Sequence, residues 1–390
     1  DFSFRFVYFA SMYKQYQIIL SLGSNQGNRK DNLQNAINLI NNEVGSVITI
    51  SPVYETPSWG FESDAFFNCA ILIHSFKSAE DVLAHCLHIE TRLGRIRNQE
   101  TGYTARIIDI DMISFNKEII STDTLKIPHP FVQDRKFVLQ PCADLKLDWI
   151  HPILKKSFKD LLNETSDKSE IKKVDVLNNP MDKYTFNQLN FIAIEGNIGS
   201  GKTTLTQKIA ADFNAKTVLE RFADNPFLPQ FYKDPTRYAF PLEMSFLADR
   251  YSQISDDLGQ LDLFKDFIVA DYFIYKSLIF AQVTIDEDEF RLYKNIFDIM
   301  YKEVTQPDLY IYLHQETDRL LDNIKKRGRS YESEIPADYL NKINKSYADF
   351  IKTNKNQNTL VIDMTELDLI ENQEDYIAIL NQIQEKIKPN

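Results

Sequence analysis

Residues 196–203 read Gly-Asn-Ile-Gly-Ser-Gly-Lys-Thr and fit G-x-x-x-x-G-K-[ST] without a gap. In such a loop Gly196, Gly199 and Gly201 let successive backbone N–H groups, including those of Asn197, Ile198 and Ser200, turn inward around phosphate oxygens. Lys202 adds a point charge for the outer phosphates and Thr203 a hydroxyl for Mg²⁺, and Thr204 closes the nucleotide-binding run. The flanks agree. Residues 191–195 are mostly apolar, as a buried parallel strand is. Leu205, Ile209, Ala210 and Phe213 share one helical stripe, so a helix should follow with its positive end toward the anion. Strand, loop and helix together predict a nucleoside triphosphate site. A glycine turn that binds nothing is the bland alternative.

A second constellation lies in RIIDIDMI at 106–113. Strand periodicity puts Asp109 and Asp111 on one face, about 7 Å apart. Two carboxylates so placed repel unless a cation lies between them, and a pair of Mg²⁺ ions carrying phosphate oxygens would suit them. A solvated polar face is the alternative, weakened because Ile107 and Ile113 share that face. Arg95, Arg97 and Arg106 could hold phosphates bidentately, or could be surface charge.

Four further charged residues end predicted elements of the second half. Glu220 follows a short strand at 216–219 and could accept a proton from a substrate hydroxyl, or could simply pair with Arg221. Asp271 ends a buried strand at 267–271, where a Mg²⁺-linked carboxylate is expected. Arg327 and Arg329 flank Gly328 after a helix capped by Thr317, suiting a lid over triphosphate or merely a basic helix end.

The elements that must carry these groups divide the chain. It has 390 residues, about right for two domains, and 43% are hydrophobic, enough for two cores. The net charge of −12 does not suit a nucleic-acid backbone or an anionic membrane as partner. Cys69, Cys86 and Cys142 lack C-x-x-C spacing and read as free thiols in a reducing, cytoplasmic setting. No apolar run is long enough to span a membrane. Residues 1–16 read as a tag or leader extension, with translation expected to begin at Met12. Residues 17–163 form the first domain, 164–189 a polar linker with a short ordered piece at 171–177, and 190–390 the second domain. In the first, strands are expected at 18–21, 47–53, 66–75 and 106–115, a helix carries Leu33, Ala36, Ile37 and Ile40, and another spans 78–93. Helices and strands without strict alternation mean α+β. In the second, strands at 191–195, 216–219, 267–271, 309–313 and 360–363 mean α/β.

LGSN at 22–25, YETP at 54–57, FFN at 66–68, LGRIR at 93–97, RIIDID at 106–111 and IPHP at 127–130 together resemble the 6-hydroxymethyl-7,8-dihydropterin pyrophosphokinase family. The resemblance implies a ferredoxin-like fold and pyrophosphoryl transfer from ATP to a pterin hydroxymethyl, with release of AMP. It makes Asp109 and Asp111 ligands of two Mg²⁺ ions. Glu90, Arg95, Arg97, His129 and Arg135 resemble the ATP-binding set, with Arg95 and Arg106 assisting transfer. Thr56, Pro57, Phe66, Asn68 and Phe137 resemble the pterin pocket, the two aromatic rings sandwiching the heterocycle and Asn68 reading its amide edge. Residues 102–105 depart from the family pattern, lacking its arginine and tryptophan, with Tyr103 the nearest aromatic.

DNPFL at 224–228, FY at 231–232, LEM at 242–244, ADY at 270–272, IYK at 274–276 and KRGR at 326–329 resemble the deoxynucleoside kinase family, in its bacterial deoxyadenosine/deoxyguanosine branch. That implies a five-stranded parallel sheet, a dimer through a helix bundle, and transfer of the ATP γ-phosphate to a deoxyribose 5′-hydroxyl with one Mg²⁺. Glu220 is then the base, Lys202 and Thr203 hold phosphate and Mg²⁺, Asp271 stands near the metal, Arg327 and Arg329 form the lid, and Glu332 meets the sugar. Two departures stand out: Tyr272 replaces a catalytic arginine, and Pro241 replaces a base-reading glutamine, for which Glu243 and Arg250 are candidates. The expectation is a two-headed Mg·ATP enzyme acting on small molecules, with deoxyadenosine favoured and deoxyguanosine or another deoxynucleoside as alternatives. A rival is that the first domain is inactive and serves binding or oligomerisation.

Overall fold

The structure is a computed structural model that describes residues 14–58, 63–95, 105–221, 225–259, 263–302, 304–329, 332, 335–354 and 357–388. The chain divides into two units: one runs up to Tyr184 and adds Ile370–Ala378, the other takes Thr185–Leu369 and continues from Ile379. The leader stretch through residue 13, Arg97 and Tyr103 lie outside the described residues.

In the first unit, chain order is β1 (Tyr16–Ser24), α1 (Arg29–Glu43), β2 (Ser46–Ile50), β3 (Val53–Thr56), β4 (Phe66–Ser75), α2 (Ala79–Arg92), β5 (Asp109–Phe115), β6 (Ile120–Ser121), β7 (Lys126–Ile127), α3 (Lys136–Asp144), α4 (Phe158–Glu164) and β8 (Lys172–Asp175). The sheet runs β5-β1-β4-β3-β8, with β2 also on β4. Its pairings are antiparallel. Both faces are covered, so β1 is apolar on each. Ile18, Leu20 and Leu22 pack with Ala36, Ile40, Val82 and Ile89 of α1 and α2, whereas Ile19 turns to Leu139, Cys142 and Phe158 of α3 and α4. The Ser78 hydroxyl caps α2, accepting from the Asp81 N–H at 3.1 Å. All three cysteines are buried free thiols.

Three expectations change here. The strand expected over 47–53 is two strands, because Pro52 has no N–H to continue the ladder and the chain breaks at Ser51. Arg106 is not in a strand. Its N–H donates to Asn25 Oδ1 at 2.6 Å and its carbonyl accepts from the Asn25 N–H at 3.0 Å, so pairing starts only at Asp109. The ordered piece expected at 171–177 is present as β8, but it is no free linker segment: it is an edge strand on β3, although its Lys-Lys-Val-Asp sequence shows no apolar alternation.

In the second unit, chain order is β9 (Phe191–Gly196), α5 (Lys202–Asp212), β10 (Lys216–Val218), α6 (Leu228–Phe231), α7 (Pro235–Gly259), β11 (Ile268–Ala270), α8 (Tyr275–Thr284), α9 (Glu287–Tyr301), β12 (Leu309–His314), α10 (Thr317–Arg327), α11 (Ala337–Thr353), β13 (Thr359–Asp363) and α12 (Gln373–Ile387). The five strands pair in parallel in the order β10-β11-β9-β12-β13. β9 is central and buried along its length, so its C-terminal end and those of its neighbours meet on one edge. Thr317 is the first residue of α10 rather than its cap. Glu316 holds the cap position and gives no side-chain cap bond, while the Thr317 hydroxyl donates to Asn341 Oδ1. Gly328 ends α10 at φ 68°. Among the described residues no helix is long and apolar enough to cross a membrane.

Candidate active sites

The first unit holds a cavity of about 270 Å³ over the β1–β5 edge. Register places Gly23 opposite Asp109 and Ser21 opposite Asp111. The two carboxylates therefore share the face of Ile113, which is fully buried beneath them. Thr56 ends β3 opposite Phe66, and the Asn68 amide donates to Thr56 Oγ1 at 2.8 Å. Pro57, Phe66, Phe137, Arg106, His129 and Arg135 also line the cavity, so those pterin-side and phosphate-side residues are gathered in one place. Ser21, Gly23 and Phe131 line it too. Only their register on β1, or their nearness to Arg135, could have flagged them. A Cβ on Gly23 would stand 2.9 Å from Asn68 Oδ1, so glycine keeps room for the amide.

Charge is concentrated at the inner wall. Arg95 lies 2.5 Å from Asp109 Oδ1 and also pairs with Glu90, while Arg106 takes Asp109 Oδ2. Glu90 is buried and accepts the Ile110 N–H at 2.8 Å. The expected phosphate-holding arginines thus hold Asp109 here. Burial, and then Asp109 beside it, lifts the Asp111 carboxyl to about 7. Burial, and then Arg135, lowers His129 to about 4. Among the described residues no group of three or more His, Cys, Asp or Glu could hold a metal. The donor set is instead two carboxylates, one of them crowded by like charge, which fits Mg²⁺ completed by phosphate oxygens.

The second site forms at the C-terminal edge of the parallel sheet. Gly196, Gly199 and Gly201 have φ of 153°, 83° and 89°. Lys202 folds back onto its own loop, its ammonium donating to the Asn197 carbonyl at 2.7 Å. The Asn197 side-chain amide is tied to the Leu340 carbonyl and to Asn344 Oδ1, each at 2.8 Å. Thr203 and Thr204 lie in the first turn of α5, and the Thr203 hydroxyl donates to Asp271 Oδ2 at 2.5 Å. A hydroxyl facing a carboxylate on the next strand fits one Mg²⁺. Burial raises the Asp271 carboxyl above its ordinary value.

Glu220 does not pair with Arg221. Its Oε1 accepts from Arg250 Nε at 2.8 Å and its Oε2 lies 2.5 Å from Lys276 Nζ, while its N–H donates to Asp271 Oδ1 at 2.8 Å. Burial would raise its carboxyl, but Lys276 and Arg250 outweigh this and hold it at about 2. Glu243 is 2% exposed and its Oε1 accepts from Thr284 Oγ1 at 2.9 Å. Arg327 and Arg329 both pair with buried Glu332, which therefore sits under the expected lid. Tyr272 is fully buried. Sequence patterning missed two groups here. Glu195, buried at the end of β9, accepts the Phe273 N–H at 2.6 Å and the Tyr347 hydroxyl at 2.9 Å. Lys276 lies on a helix far from Glu220 in sequence, and no spacing rule links them.

Residues 192–388 match the family model described as deoxynucleoside kinase. The chain belongs to the deoxynucleoside kinase family. Residues 19–147 match the model described as 7,8-dihydro-6-hydroxymethylpterin-pyrophosphokinase, so the kinase is fused to a pyrophosphokinase-like region. The kinase half is similar to the deoxyguanosine kinase of Bacillus subtilis, 34% identical over 205 residues that make up 52% of this chain and 99% of that one. It is also similar to the deoxyadenosine kinase of Lactobacillus acidophilus, 30% identical over 214 residues, 51% of this chain and 97% of that one. The first half is similar to the folic acid synthesis protein FOL1 of Dictyostelium discoideum, 36% identical over 138 residues, 35% of this chain and 20% of that one.

Proposed function

We propose that this fusion is a bifunctional Mg·ATP-dependent transferase. One unit moves the γ-phosphate of ATP to the 5′-hydroxyl of a purine deoxynucleoside. The other moves a pyrophosphoryl group from ATP to 6-hydroxymethyl-7,8-dihydropterin and releases AMP. The observation that carries the first activity is Glu220, an ionised carboxylate at a strand end beside Asp271 and the phosphate loop. There it can accept the 5′-hydroxyl proton while Lys202 and the loop N–H groups hold the triphosphate. Thr203 and Asp271 would hold one Mg²⁺, and Asp109 and Asp111 two. Mg²⁺ bound at either place neutralises phosphate charge as it shifts. Arg327 and Arg329, released from Glu332, close over the triphosphate, and Glu332 is freed to meet the sugar 3′-hydroxyl.

In the other unit, Phe66 and Phe137 offer two aromatic faces to a flat heterocycle, and Asn68 offers both donor and acceptor. Glu90, Arg95, Arg97, His129 and Arg135 bind ATP, and Arg95 with Arg106 hold the phosphates in transfer. The β-α-β-β-α-β succession, with β2 and β3 counted as one strand and sheet order β5-β1-β4-β3, supports a ferredoxin-like assignment.

Among deoxynucleosides, deoxyadenosine is preferred and deoxyguanosine is second, with Glu243 and Arg250 at the base. The protein is cytoplasmic, a dimer through its kinase unit, with no nucleic-acid or membrane partner. Turnover of the full chain across the four deoxynucleosides, with AMP release on the pterin measured in parallel, tests both halves. Phosphorylation of none of the four would end the kinase reading. Kinase turnover without AMP release would favour a first unit that only binds or oligomerises.

A further inference from the structure

The cation pair on Glu220 is unequal. Arg250 uses all three of its nitrogens: Nε and Nη2 both meet Glu220 Oε1, at 2.8 and 2.7 Å, and Nη1 donates to Ser277 Oγ at 2.8 Å. Lys276 makes a single bond. An ammonium has three donors, yet among the described residues Glu220 is the one hydrogen-bond partner of its Nζ. Its side chain is 8% exposed, and the Phe280 ring lies 5.4 Å from Nζ to centroid. A buried ammonium with two unspent donors is costly unless an anion completes it.

The charge of Lys276 also reaches the phosphate loop. After burial, it is the largest influence depressing Lys202, the lysine of the phosphate loop, and it also acts on Asp271 and Glu195. Its partner Glu220 donates its N–H to Asp271 Oδ1 at 2.8 Å, and Asp271 Oδ2 accepts the Thr203 hydroxyl of the phosphate loop at 2.5 Å, so the ammonium lies beside the base at the phosphate-loop end of the site. Tyr272 contributes no charge there. It is fully buried, its hydroxyl has no hydrogen-bond partner among the described residues, and burial keeps it neutral.

We propose that Lys276 is a catalytic residue of the kinase site, its ammonium bridging Glu220 and the phosphoryl group in transfer. This rests on the kinase reading above. In the step, the 5′-oxygen forms a bond to the γ-phosphorus as its proton passes to the Glu220 carboxylate. The bond from the γ-phosphorus to the β,γ-bridging oxygen breaks, and ADP leaves with that electron pair. Lys276 keeps its protons throughout and spreads the charge on the transferring oxygens, the part Tyr272 cannot play.

The test compares wild type, Lys276→Ala, Lys276→Met and Lys276→Arg in the full chain. Lys276→Ala is expected to lose about 10²-fold or more in kcat with little change in either KM. Arginine should restore part of the rate, and added ethylammonium should rescue Lys276→Ala but not Glu220→Gln. A lysine that merely neutralises Glu220 would show neither rescue, and its loss would fall on melting temperature. Lys276→Met keeps the packing, so a poorly folded alanine variant still leaves a reading. The second readout needs no acceptor: Lys276→Met should weaken binding of ADP–fluoroaluminate while ADP alone binds as in wild type. Wild type that phosphorylates no deoxynucleoside, with that fluoroaluminate difference present, sinks the substrate assignment and keeps Lys276. Deoxynucleoside turnover with near-normal kcat in Lys276→Met, or equal fluoroaluminate binding, overturns the role of Lys276.

Discussion

Glu243 shows how one buried side chain can set a substrate preference. Thr284 satisfies one carboxyl oxygen, and Oε2 has no partner among the described residues. Burial lifts this carboxyl to about 7, with Arg250 and Lys276 opposing. The groups around it come from four elements: Arg250 of α7, Thr284 and Lys276 of α8, Tyr293 of α9 and Tyr339 of α11, with Glu220 beyond. Below pH 7 the neutral acid offers one O–H and one carbonyl, matching the N1 acceptor and N6 donor of adenine. Above it the carboxylate accepts two bonds, matching the N1–H and N2–H of guanine. The kcat/KM ratio of deoxyadenosine to deoxyguanosine should therefore fall about a hundredfold between pH 6 and pH 8. Glu243→Gln, which cannot titrate, should flatten it. A wild-type ratio that stays level over this range removes Glu243 as base reader. None of this is visible in spacing. The family resemblance makes Glu243 a candidate base reader, but its burial follows only once the neighbours from α8, α9 and α11 are in place.

At the scale of elements, legibility followed how local the constraint is. The phosphate loop was readable because its geometry is written in consecutive residues. Gly196 faces β12: an added Cβ would stand 2.6 Å from the Leu313 carbonyl and 2.6 Å from Ser200 Oγ, at a φ of 153°. Gly328 has φ 68° but nothing within 4 Å. Gly196→Ala should thus cost about 1–3 kcal/mol of stability, and Gly328→Ala less. Thermal unfolding should rank them so, with ATP affinity lost in the first. Equal melting temperatures would mean the loop does not rest on β12 as described. Where a constraint is non-local, the sequence was silent. An ordered piece at 171–177 is legible, but that it is β8 and pairs with β3 is not, since Lys172 and Lys173 alternate with nothing apolar. Arg106 left the strand because Asn25, remote in sequence, captured its backbone.

At the scale of the molecule, each candidate site is built from one unit alone. The cavity draws on residues 21–137 and the phosphate-loop site on residues 195–347, so no described residue serves both. The two proposed reactions would share ATP but no described side chain, and a pterin and a deoxynucleoside have no intermediate in common. Inactivation should therefore be separable in the intact chain. Excising the first unit at residue 163 would strip β8 from β3, so substitutions are the sound instrument. Asp109→Asn with Asp111→Asn removes both carboxylates facing the cavity. AMP release on the pterin should drop by about 10²-fold or more, with deoxynucleoside phosphorylation unchanged. Glu220→Gln should do the reverse, losing about 10²-fold in phosphorylation while AMP release persists. Measuring both products from one preparation of each variant decides the matter. If either variant lowers both rates together without loss of folded protein, the heads are coupled, and the picture of two self-sufficient sites fails.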